Sequence, residues 1–208
     1  MNPGNSQLIV FTRLPCEGRN KTRLIPALGA AGAAMFHDRL ARHTIRRASE
    51  FCIAAENTRL VIRLDGGSIR EGQAWLGDYE FQEQGTGDLG ERLELAVRNA
   101  FLEGAGKVLV IGTDCPELDS SCLAEAKELL DHHPLVFGPA YDGGYYLVGL
   151  SEPCPLIFQD IAWGGPDVLA QSLAAAETAR LSVGLLGFLA DVDVPEDLPA
   201  AEVALGQR

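Results

Sequence analysis

The sequence predicts an α/β fold, a mostly parallel sheet with helices packed on its faces. Two observations predict it. Short β-branched or aromatic runs alternate with longer amphipathic stretches, as repeated βα units require. One of those runs, Val108-Leu109-Val110-Ile111, is apolar without interruption, as expected for a strand covered on both faces. With 208 residues, 47% of them apolar, the chain suffices for one full-sized domain over 1–208, and a second is not expected.

In chain order, strands are expected at 8–11, 60–64, 79–82, 108–111, 135–137, 145–150 and 183–188, where β-branched and aromatic residues cluster between turn formers. The strand at 145–150 follows Gly143-Gly144 and breaks the βα alternation, so the sheet is expected to be mixed near its end. A long helix is expected over 30–51. In the helix expected over 89–101, Leu89, Leu93, Val97 and Phe101 recur every fourth residue and form one core-facing stripe. The helix at 120–130 has Asp119 or Ser120 as its N-cap, and His132-His133 suit its negative end. An Ala/Leu-rich helix follows at 167–179, and a last one at 196–205 starts behind Pro195.

The formal net charge is −12, from 29 acidic and 17 basic residues. Such a surface repels nucleic-acid backbones and anionic lipid, so neither nucleic acid nor membrane is an expected partner. An anionic small ligand would need a local cationic pocket or a metal. The five cysteines are widely spaced and lack a CxxC pair, which fits reduced thiols rather than a zinc site or a disulfide framework. Residues 1–7 lack a basic-then-apolar signal pattern, and no apolar run approaches the roughly 20 residues that span a bilayer. A cytoplasmic protein is expected.

Chemistry is expected at the strand ends. Asp114 stands in Gly112-Thr113-Asp114-Cys115-Pro116, directly after the apolar run, where Gly112 permits close backbone approach and Pro116 stops the strand. Ligands of open α/β sheets sit beyond the carboxyl ends of the strands, so Asp114 points towards the expected crevice. A carboxylate there suits Mg2+ or Mn2+, which take few protein oxygens and complete their shells with phosphate and water. The plain alternative is a cap for the next turn. A second acidic cluster, Asp191-Val192-Asp193-Val194-Pro195-Glu196-Asp197, follows the last strand. Alternation puts Asp191 and Asp193 on one side, while Glu196 and Asp197 suit a helix N-terminus.

The loop after the first strand gathers Arg13, Arg19, Lys21 and Arg23 in an otherwise acidic chain, where a phosphate would be attracted. It is neither a Walker A loop nor a GxGxxG turn. The segment from Gln84 through Asp88 to Arg92 reads as a base- or ribose-binding loop leading into a helix, or as a flexible connection. Asp142-Gly143-Gly144 permits a ligand to approach the backbone, and a plain hairpin turn explains it equally well. Cys115 has no histidine near it in sequence and reads as a buried thiol, not a nucleophile. His37 and His43, six apart on the first helix, cannot share a face as metal ligands. Trp163 reads as a core residue after a turn more readily than as a wall of an acceptor pocket.

These motifs occur together in one order: Arg-x-Pro…Gly-x-x-Lys-Thr-Arg-Leu, Gly-Asp-Leu-Gly-Glu-Arg, Gly-Thr-Asp-Cys-Pro, Gly-Pro-Ala-x-Asp-Gly-Gly-Tyr-Tyr and Asp-Val-Asp-x-Pro-Glu-Asp-Leu. The set, from about Leu8 to Leu198, resembles the DUF2064 family of glycosyltransferase-A-like proteins, described as nucleotide-sugar glycosyltransferases and in some cases linked to arsenosugar synthesis. The resemblance implies a nucleotide-diphospho-sugar transferase fold, a Rossmann-like mixed sheet flanked by helices. It implies that Asp114 is the strand-end metal ligand and Asp193 a second one. Lys21, with Arg13 and Arg23, takes the place of the phosphate-binding loop, and Asp142 with Gly143 and Gly144 would face the sugar or acceptor. Gly164-Gly165 stand where the family pattern leads one to expect hydroxyl side chains. The Lys-Thr-Arg-Leu element is also similar to that of the phospholactate and phosphoenolpyruvate guanylyltransferases.

The expected activity is glycosyl transfer from a nucleotide-diphosphate sugar to a small acceptor, with a divalent metal and Lys21 stabilising the departing diphosphate and Asp142 orienting or deprotonating the acceptor. The alternative is nucleotidyl transfer from a nucleoside triphosphate to a small phosphorylated or carboxylated acceptor, with release of pyrophosphate. A non-catalytic nucleotide sensor is the third reading. The sequence carries no firm signal of oligomeric state.

Overall fold

The computed structural model describes residues 5–206. Strands β1 (Ser6–Arg13), β2 (Thr58–Asp65), β3 (Phe81–Glu83), β4 (Lys107–Ile111), β5 (Leu135–Pro139), β6 (Tyr145–Leu150) and β7 (Val183–Leu185) form one sheet in the order β3-β2-β1-β4-β6-β5-β7. β6 runs antiparallel to both its neighbours, and the other pairings are parallel. The mixed character therefore rests on the strand that enters through Gly143-Gly144. A short turn cannot make a parallel crossover, so it returns the chain as a hairpin.

The helices are α1 (Ile25–Ala54), α2 (Ile69–Leu76), α3 (Leu89–Leu102), α4 (Ser120–Leu129), α5 (Val168–Thr178) and α6 (Leu198–Gly206). α1 starts earlier than its apolar pattern indicates, but Gly29, at φ 71° and ψ 167°, interrupts it. The uninterrupted helix runs from Ala30, as expected. Asp119 is the N-cap of α4 and accepts from the amides of Ser121 and Cys122. Helix α2 was not expected from periodicity, yet its signal is in the sequence. Ser68 and Glu71 form a reciprocal capping box, and each bonds the other's backbone amide. β7 ends short of the expected 188, and beyond it only a bridge between Ala140 and Leu189 continues the pairing.

Alternate residues of the central strands enter opposite cores. Leu8 and Val10 pack with Ile45 of α1 and Leu123 of α4. Ile9, Val108 and Val110 pack with Leu93 of α3 and Ala176 of α5. The whole run 108–111 is buried, which is why it reads as continuously apolar. A third cluster joins Leu24, Phe36 and Leu40 to Val192 and Ala201. It pins the segment after β7 against the loop after β1, with about 1.5–3 kcal/mol for each large side chain removed from water.

The chain moves outward from β1 to β2 and β3, then returns to β4 on the other side of β1. The crevice of a doubly wound sheet opens at such a reversal, beyond the carboxyl ends of the strands. Among the described residues, no helix is long and apolar enough to cross a membrane.

Candidate active site

A cavity of about 710 Å³ opens at that reversal. Arg13, Lys21, Arg23, Gln84, Asp114, Asp142, Gly144 and Asp193 all line it, so residues from five separate strand-end segments meet in one place. Asp88 and Gly143 do not line it.

The basic loop is shaped by its own polar side chains. Buried Asn20 accepts the amide of Cys16, and Lys21 adopts the left-handed conformation at φ 47°. This aims the lysine inward. Its Nζ donates to the Asp114 carboxylate at 2.6 Å and to the Val192 carbonyl at 2.6 Å, and the side chain is only 6% exposed. The Val192 amide in turn donates to the Asp114 carbonyl at 2.9 Å. Arg23 pairs with Asp193, and Arg13 with Asp65 at 2.6 Å. A lysine this buried costs desolvation that only its partners offset, so losing one partner leaves a charge stranded.

Asp119, not Asp114, caps the next helix. Asp197 likewise fixes the other loop, accepting the amides of Asp193 and Val194 at 2.8 Å each. That leaves the side chains of Asp114 and Asp193 facing the cavity, 53% and 38% exposed. Two accessible carboxylates fit a hard divalent cation that draws its remaining ligands from phosphate and water. The described residues hold no cluster of three or more acidic, His or Cys groups that would cage a metal unaided.

Gln84 is buried, and its amide nitrogen donates to the carbonyls of Thr12 and Arg63 at 2.9 and 3.1 Å. Those bonds lock the β1 and β2 ends together at the cavity wall. Asp88 caps α3 in a reciprocal box with Glu91. Gly143 has φ +89°, and a Cβ there would lie 1.8 Å from the Pro166 carbonyl oxygen, so this glycine serves packing. Asp142 keeps a turn role as well, accepting the Gly144 amide at 2.8 Å while lining the cavity.

Two features escaped the sequence reading, the bracing histidines and the cavity-facing Leu89. His37 lines the cavity, and its Nε2 bonds the Arg13 carbonyl at 2.8 Å. His43 makes the equivalent bond to the Pro116 carbonyl at 3.1 Å. The two histidines thus brace the loops after β1 and β4 from one helix, and burial holds both below the ordinary imidazole range. Asp191 also lines the cavity, and burial, followed by the charge of Asp142, pushes its carboxyl up. Trp163 both packs against the core and lines the cavity, so the two readings of it coexist. Leu89, the first member of the α3 stripe, is 43% exposed and lines the cavity instead of the core. Neither the histidine contacts nor the exposure of Leu89 carries a local signal, since each depends on which loop lies opposite. Cys115 is buried, and desolvation, reinforced by the Asp114 charge, keeps its thiol protonated.

The fold is that of nucleotide-diphospho-sugar transferases. A crystal structure from Desulfovibrio desulfuricans G20, provisionally described as such a transferase, is 29% identical and superposes with a TM-score of 0.83 over 100% of this chain and 98% of that one. Two more distant structures share the fold. One is CMP:2-keto-3-deoxy-manno-octonic acid synthetase complexed with CTP (11% identity, TM-score 0.58, 98% and 99% covered). The other is Rv0371C of Mycobacterium tuberculosis H37Rv in complex with manganese (15% identity, TM-score 0.55, 95% and 97% covered). Residues 49–165, more than half of the chain, match the model of DUF2064, uncharacterized proteins conserved in bacteria, and the chain belongs to that family. Lys21 and Asp193 lie outside the matched residues. No curated protein matches by sequence.

Proposed function

We propose that the protein is a metal-dependent glycosyltransferase that moves a sugar from a nucleotide-diphosphate sugar to a small acceptor. One observation carries the reading. In a chain of net charge −12, the buried Lys21 ammonium and Arg23 sit against the two strand-end carboxylates Asp114 and Asp193 in one cavity. Diphosphate oxygens and a cation suit such alternating charges. Asp114 and Asp193 would hold Mg2+ or Mn2+, which supplies charge neutralisation at the diphosphate when bound. Lys21 is then released from its ion pair to donate to a phosphate oxygen, and it stabilises the charge that grows as the sugar departs. Asp142 accepts a hydrogen bond from the acceptor hydroxyl with the oxygen its own turn leaves free.

The test is a thermal-shift screen of nucleoside di- and triphosphates and nucleotide sugars, with and without Mn2+ or Mg2+. A ligand at 100 times its dissociation constant adds about 2.7 kcal/mol of stability. Asp114→Asn should abolish the metal-dependent part of that shift, and a shift that persists removes Asp114 from the site. Mass spectrometry of the reaction with the best ligand then identifies the bond broken. Pyrophosphate release from a triphosphate, with no turnover of any nucleotide sugar, would make the protein a nucleotidyltransferase.

A further inference from the structure

Half of the cavity has no use for phosphate. Below the strand ends it runs down the face of the sheet covered by α3 and α5, where Phe11, Leu93, Val110, Val148, Trp163 and Val168 form its walls. Val110 and Val148 are direct cross-strand partners on β4 and β6 and form the floor. Trp163 is seated against Gly90, since a Cβ built there would lie 2.6 Å from the indole nitrogen, and its ring meets Tyr145 edge-on at 6.3 Å. The wall is therefore held on two sides before any ligand arrives.

Among the described residues, Arg92 of α3 does not line the cavity and is held by Asp65 and Gln84, each at 3.5 Å. The lysine and arginines lining the cavity all come from the end of β1 and the loop after it. The turn at the rim carries Asp142, and it packs directly on the Trp163–Val168 segment: the Leu169 amide donates to the Gly143 carbonyl at 2.9 Å. Asp191 lines the cavity as well. An anion entering here would lose its water, find the nearby arginines already paired with Asp65 and pass two carboxylates. An apolar group would lose only unfavourable contact with water.

We propose that this half receives the acceptor, and that the acceptor offers it an uncharged apolar or aromatic group while presenting its hydroxyl to Asp142. Acceptors that carry a carboxylate or phosphate on that group are excluded. The assignment rests on the glycosyl-transfer reading for its word "acceptor", but the compartment's preference stands on its own walls.

Ligand-detected NMR with the full chain tests it, using 4-methylbenzyl alcohol and its anionic counterpart 4-methylbenzoate as probes. The alcohol should bind at least about tenfold more tightly, a difference of about 1.4 kcal/mol. In a Trp75→Phe background, where Trp163 is the remaining tryptophan, the alcohol should also shift the fluorescence. Leu89→Lys, at an exposed lining position, should narrow or reverse the preference without unfolding the chain. Equal or tighter binding of the benzoate, no binding of either probe, or an alcohol that leaves Trp163 fluorescence unmoved would each overturn the proposal. So would a preference indifferent to Leu89→Lys. The same titration on Asp114→Asn separates the two ideas. Loss of the nucleotide shift with the alcohol preference retained supports the compartment whatever the fate of the nucleotide reading.

Discussion

Where Lys21 reaches Asp114, the cavity is made by long charged side chains crossing between loops. Where Val110 faces Val148, it is made by short side chains standing on a sheet. The first half depends on ion pairs, of which Lys21–Asp114 would leave a buried ammonium stranded if broken, and it sits on segments without regular structure. The second depends on volume, and it inherits its rigidity from strands buried on both faces. One half is held by ion pairs between loops; the other is packed on the sheet. The difference teaches that a single cavity can respond to two unrelated perturbations, charge in one part and shape in the other.

Three substitutions would break that comparison or sharpen it. The largest effect is expected from Lys21→Met, which keeps the length of the side chain and removes its charge. Turnover of the nucleotide substrate, read as kcat/KM, should fall by at least about 100-fold, the scale of losing one charge-stabilising donor. Binding of an uncharged probe in the apolar half should be unaffected, and a parallel loss there would show that the halves are not independent.

Gly90→Ala is the converse. Its new methyl would meet the Phe158 carbonyl oxygen at 2.2 Å and the Trp163 indole at 2.6 Å, both too close to keep. Unfolding experiments should show a loss of about 1–3 kcal/mol, the usual cost of overpacking, together with a shift in Trp163 fluorescence. The metal-dependent nucleotide shift should survive.

The smallest effect belongs to Asp88→Ala. Because the side chain caps α3 and does not line the cavity, stability should drop by about 1 kcal/mol with nucleotide affinity unchanged. Weaker nucleotide binding at unaltered stability would return Asp88 to the site.

Much of this architecture was legible residue by residue. The buried run at 108–111, the stripe through Leu93, Val97 and Phe101, and the regular helix from Ala30 all follow from local periodicity. So does the clustering of Arg13, Lys21 and Arg23 after β1. What failed did so for physical reasons. Helix α2 is announced by a capping box and not by a long apolar stripe. Leu89 fits the α3 stripe by spacing, yet the first turn projects past the core into the crevice. Asp88 looks the same as a ribose contact until its hydrogen bonds to Glu91 are seen.

Periodicity and turn chemistry are properties of neighbouring residues, so they were enough for the seven strands, every helix but α2 and the edge of the sheet where chemistry is expected. Which charges meet is a different matter. The Lys21 ammonium finds the Val192 carbonyl across 171 residues of chain, and Val110 finds Val148 only because β6 inserts antiparallel beside β4. Long-range pairs of that kind arise from how the sheet is threaded, and no local pattern encodes them. Asp114 could therefore be suspected of binding a ligand from its place after a strand, but its partner Lys21, and the uncharged compartment beside it, belong to the folded molecule alone.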